Sequence, residues 1–190
     1  MTLLDTNHDH YFIETKPLNI EIEEIYDEHN DNIGHIKRIP NSKEISVLES
    51  DGKLLFTLKR GGEWLGPDYE MKDIDGNQVA EFKIKKGKAA SKRKISMKSA
   101  DKKHNLIARE SGAGWQFEVI ESDGSKVAGY AKLDHAFVPS ELKLNIEKSF
   151  GLQVTNQSYE RKFLVGFFVV LVDGIYEHFF EDWVEKWFGE

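Results

Sequence analysis

Cysteine is absent from the 190 residues. That excludes disulfides, thiol nucleophiles and thiolate metal sites, and it fits a reducing compartment. No apolar run reaches the roughly 20 residues that a bilayer span needs. The longest, Phe163 to Val172, is ten residues and ends at Asp173. Met1-Thr2-Leu3-Leu4-Asp5 holds neither the basic nor the apolar region of a signal peptide. The expectation is a single cytoplasmic domain over residues 1–190, at most peripheral at a membrane.

Catalytic motifs are missing too. There is no Gly-x-Ser-x-Gly elbow, no Walker A loop and no His-Glu-x-x-His. Neither a catalytic residue nor a metal or cofactor is expected, and the chain reads as a non-enzyme. The seven histidines are scattered. His8 and His10 fall in a terminal stretch expected to fray. His29, His35, His104 and His135 fall at turns or strand ends, where solvent suffices. Asp73, Asp75 and Asn77 look like a cation site, but a hairpin turn accounts for them. Asp27 to Asn32 lacks the ligand spacing and closing Glu of an EF-hand. Gly112-Ala113-Gly114 reads as a turn.

What the sequence does hold is short alternating segments. Tyr11–Thr15, Leu18–Ile25, Ile36–Ile39, Glu44–Leu48, Leu54–Leu58, Trp64–Met71, Val79–Ile84, Lys94–Lys98, Leu106–Ala108, Trp115–Val119, Val127–Ala131 and Leu142–Ile146 each suit a strand. Asp51-Gly52, Asp75-Gly76 and Asp123-Gly124 predict two-residue type I′ hairpins, with φ > 0 at both central positions. About a dozen strands with regular turn signals predict a barrel or sandwich over about residues 10–150.

The C-terminal 30 residues differ. Phe163 to Val172 would be apolar on every side of a helix, so it must be surrounded. Ser158 is the expected N-cap, and the helix spans about 159–188. A buried Asp173 should need a basic partner or an opening. Beyond Gly174 one stripe remains, with Phe179, Phe180, Trp183, Trp187 and Phe188 opposite an acidic face. Packing under a barrel rim would explain that stripe; so would a protein-binding or self-association face. The acidic opposite face argues against a membrane-surface helix.

Charge is uneven. The first fifty residues carry eleven acids against four bases. From Lys83 to Lys98 there is no acid and eight bases: Lys83, Lys85, Lys86, Lys88, Lys92, Arg93, Lys94 and Lys98. The island is either a solvated hairpin or a site for an anionic surface. Few aromatics interleave with it, so nucleic acid, which rewards stacking platforms, is disfavoured as partner.

The layout resembles the tubby C-terminal-like superfamily, which includes the phospholipid scramblases and the LURP-one-related proteins. The likeness is carried by Tyr69-Glu70-Met71-Lys72-Asp73-Ile74-Asp75-Gly76-Asn77-Gln78-Val79-Ala80, by Trp115-Gln116-Phe117-Glu118-Val119, and by Lys162-Phe163-Leu164 through Asp173-Gly174-Ile175. It implies a mainly β fold: a twelve-stranded antiparallel β-barrel enclosing a hydrophobic C-terminal α-helix. It also implies headgroup binding through basic surface residues, for which Lys83 to Lys98 is the comparable feature. The cysteine-rich segment of scramblases is not present.

Overall fold

The computed structural model describes residues 2–14, 22–39, 42–61, 68–86, 93–110, 116–132 and 149–188; at residues 86, 93, 110, 131, 132 and 175–188 the backbone alone is described. Twelve strands precede one helix. They are β1 His10–Glu14, β2 Ile22–Tyr26, β3 Asn32–Arg38, β4 Glu44–Glu49, β5 Leu54–Gly61, β6 Asp68–Lys72, β7 Gln78–Lys86, β8 Arg93–Ser99, β9 Asn105–Glu110, β10 Gln116–Glu121, β11 Lys126–Lys132 and β12 Ser149–Val154. The helix α1 spans Arg161–Phe188. Each strand pairs antiparallel with its sequence neighbour, and β1 pairs with β12 to close the barrel.

Alternation decides which way each side chain faces. In β7, Ala80, Phe82 and Ile84 are buried, while Lys83 and Lys85 are exposed. The inner residues converge on α1. A barrel of about eight strands can fill itself with side chains; twelve leave room for a helix of about 10 Å diameter. Phe163 to Val172 occupy that space, and all ten are buried, Gly166 included. A Cβ on Gly166 would stand 3.2 Å from Met71 Sδ and 3.4 Å from Phe82 Cζ. Phe167 meets Phe82 edge-on at 5.8 Å, and Phe168 meets Tyr130 at 5.5 Å.

Antiparallel order sends successive connections to opposite ends. The β2–β3, β4–β5, β6–β7, β8–β9 and β10–β11 connections share one end, the turn end, with the β12–α1 connection. The others share the loop end, where Asp173 emerges.

Four turn-end hairpins share one geometry, the fifth is one residue longer, and none is type I′. Glu49 N–H donates to Lys53 O at 2.8 Å and Gly52 N–H to Glu49 O at 2.9 Å. The same pair of bonds recurs at Asp73/Asn77 with Gly76, Glu121/Ser125 with Gly124 and Asp27/Asp31 with Asn30. At the fifth, Ser99 N–H donates to His104 O and Lys102 N–H to Ser99 O. Only the fourth residue has positive φ: Gly52 88°, Gly76 82°, Gly124 90°, Asn30 65° and Lys102 62°. The Asp before each glycine keeps negative φ, as in a type I turn followed by a left-handed residue.

Three further expectations change. The last strand is Ser149–Val154, and Leu142–Ile146 lies outside the described residues. Burial of β12 on both faces removes the polar alternation that would have marked it. Ser158 is not the cap; its hydroxyl donates to Asn156 Oδ1 at 2.8 Å in the preceding turn. The N-terminal stretch does not fray: Leu3 and His8 are fully buried.

Candidate anion-binding face

The basic island folds as the β7–β8 hairpin. Lys83, Lys85, Lys94 and Lys98 stand exposed on its outer face. Lys86 and Arg93 pair through their backbones; their side chains are outside what is described, and Lys88 and Lys92 lie outside the described residues. Register places Lys85 opposite Lys94. It places Lys94 opposite Arg109 of β9, which is also exposed. Three cations thus stand in one row, with neighbouring Cβ atoms about 5 Å apart. Among the described residues none of the three makes an ion pair.

The row has defined edges. Lys83 Nζ sits 3.0 Å from Glu81 Oε1, and its bond to that carboxylate raises its pKa. Lys98 faces Glu81 across the ladder. Beyond Arg109 comes Glu118, already held by Lys126 at 3.3 Å. Lys85, Lys94 and Arg109 therefore carry the uncompensated charge. Sequence reading missed Arg109, because only the sheet register brings it beside Lys94.

At the loop end Asp173 is partnered, as its burial required. Arg38 Nε donates to Asp173 Oδ1 at 3.2 Å, and Tyr69 donates to Oδ2 at 2.7 Å. Arg38 Nη1 also bonds Glu23. Burial works against the Arg38 charge, but Glu23 and Asp173 outweigh it and hold its pKa above the ordinary value. Burial, then the Asp173 charge, pushes the Tyr69 hydroxyl pKa up. Arg38 thus bridges Glu23 of β2 and Asp173 of α1, and with Tyr69 it ties α1 to the barrel wall.

His104 is less solvated than expected. Its Nε2 lies 3.2 Å from Glu160 and its Nδ1 3.7 Å from Glu121. The ring packs on Tyr159 and Phe163, each at 5.0 Å. His135 lies outside the described residues.

Phe179, Phe180, Trp183, Trp187 and Phe188 lie on the helical backbone of α1, but their side chains are outside what is described. Asp173, just before this half of α1, lies at the loop end, where β7 ends and β8 begins. Among the described residues no helix is long and apolar enough to cross a membrane, and no group of three or more His, Asp or Glu is placed to hold a metal ion.

A closed antiparallel barrel threaded by its own C-terminal helix defines the class. A solved structure is similar: the X-ray structure of an Arabidopsis thaliana protein matches with a TM-score of 0.58 at 11% identity, over 90% of this chain and 97% of that one. The likeness establishes a related fold. No protein-family model matches the chain, and no curated protein does.

Proposed function

We propose that this protein is a non-enzymatic binding module of tubby C-terminal-like type, related to the LURP-one-related proteins, that recognises anionic phospholipid or phosphoinositide headgroups. The reading rests on one observation, the row Lys85, Lys94, Arg109 on the outer sheet face. Like charges placed directly opposite one another destabilise a sheet. A fold that retains three such neighbours gains only if something negative neutralises them. Lysines act as point charges and Arg109 adds a planar fork, a combination suited to phosphate groups. Such a protein would act at the cytoplasmic face of a membrane, peripherally.

Co-sedimentation with neutral and phosphoinositide-containing vesicles, at low and physiological salt, tests this. Binding should be confined to the anionic vesicles and weaken with salt. Lys85→Glu with Lys94→Glu should abolish it while the thermal midpoint stays the same or rises. Binding that survives both reversals would refute the reading. No binding by the parent chain would shift the weight to the second half of α1 as a protein-interaction or self-association face. Sedimentation of a Trp183→Glu, Trp187→Glu variant would then report any loss of mass.

A further inference from the structure

We propose that residues 2–9 form a lid over an internal polar site at the turn end, and that this site holds water in contact with His8, Tyr11, Asp27, Glu28 and Arg161.

The lid is tied at three points. Leu3 is fully buried; its Cδ2 lies 2.8 Å from where a Cβ on Gly34 would stand, so the glycine leaves its socket open. The Leu3 amide donates to Glu49 Oε2 at 2.7 Å. Arg161 Nη2 donates to Thr6 O at 2.9 Å. Val154 N–H donates to Asp9 O at 2.8 Å.

Beneath it lie six buried polar atoms without a well-formed direct bond, although Arg161 stands close enough to Tyr11 to act on its hydroxyl. His8 and Asp27 are both 0% exposed. His8 Nδ1 stands 3.7 Å from Asp27 Oδ2, too far for a hydrogen bond. The other Asp27 oxygen is used by the His29 and Asp31 amides, both at 2.9 Å. Both His8 nitrogens, Tyr11 Oη, Asp27 Oδ2, Glu28 Oε2 and Arg161 Nε are buried and lack a direct partner.

A neutral His8 brings one donor and one acceptor. Tyr11 and Arg161 bring donors; Asp27 and Glu28 bring acceptors. Donors and acceptors are equal in number, but apart from the approach of Arg161 to Tyr11 they do not meet. Water donates and accepts, so it can join these atoms; at roughly three bonds each, about two molecules satisfy all six. Two carboxylates against one guanidinium disfavour an anion. Among the described residues no ligand set for a metal ion exists.

Because Arg161 holds the lid to α1 and Leu3 anchors it to β3 and β4, the lid can open while the barrel stays closed. Water-17O relaxation dispersion on the full chain tests both halves. The parent should show long-lived internal water, and His8→Phe should lose part of it. Leu3→Ala should shorten the residence time on the order of tenfold or more, since the anchor loses most of its burial, with strand amide shifts unchanged. Absence of long-lived water, with the side chains closed directly on one another, would overturn the site. An unchanged residence time in Leu3→Ala would overturn the lid. If that variant does not fold, amide exchange in the parent decides the lid: His8 must exchange faster than Phe12 and Ile13, and equal protection would refute it.

Discussion

At the scale of single residues, the costliest change should be at Arg38. It stands between two carboxylates, Glu23 and Asp173. Removing the cation leaves both facing one another at a half-buried rim. Arg38→Met should cost about 3 kcal/mol, the low end for a broken buried pair because the Arg38 side chain keeps 29% exposure. Asp173→Asn should cost less, since the Arg38–Glu23 pair survives. Urea unfolding of both variants checks the order. The left-handed positions make the opposite prediction. Lys102 holds a φ of 62°, a conformation that disfavours a side chain by about 1 kcal/mol. Lys102→Gly should raise stability by roughly 0.5 kcal/mol after the greater chain entropy of glycine is counted. Gly76→Ala should lower it, and thermal melts read both signs.

At the scale of elements, the turns explain an acid sensitivity. The Asn77 amide holds the Asp73 carboxyl below its ordinary pKa, while the hydroxyls of Ser99 and Ser125 do the same for Asp101 and Asp123. A depressed folded pKa stabilises above the unfolded value and loses that contribution as pH falls through the folded one. Stability should therefore decline below about pH 4, and Asp73→Asn should flatten the decline in denaturant titrations across that range. The helix makes a larger prediction. Phe167 is enclosed by the barrel wall, so Phe167→Ala should cost about 3–5 kcal/mol, read by the shift of the urea midpoint.

At the scale of the molecule, the barrel and its helix are one core. Twelve strands around nothing would expose their inner face to water. Deleting residues from Phe163 onward should abolish cooperative unfolding, by circular dichroism, rather than leave a weaker barrel. Charge is also organised at this scale. The turn end gathers the carboxylates of five hairpins, whereas the row of Lys85, Lys94 and Arg109 crosses β7, β8 and β9 near the loop end. That polarity is invisible in the net charge of -7.

The sequence by itself determined the architecture. Alternation and β-prone composition mark eleven of the strands within a few residues, because most of them have one wet face and one dry face. An apolar run too short for a bilayer and flanked by charge has to be wrapped by protein. The partner demanded by Asp173 followed from the cost of burying a carboxylate. What only the tertiary structure decided were relations between distant positions. β12 was hidden because both its faces are dry. Arg38 and Asp173 are 135 residues apart, and Arg109 meets Lys94 only through the β8–β9 register. His8 looked terminal and free, yet its ring is buried beside Asp27 of the β2–β3 turn. Local pattern reports how much water each residue sees; which residues meet is set by register and closure, and those depend on the whole chain at once.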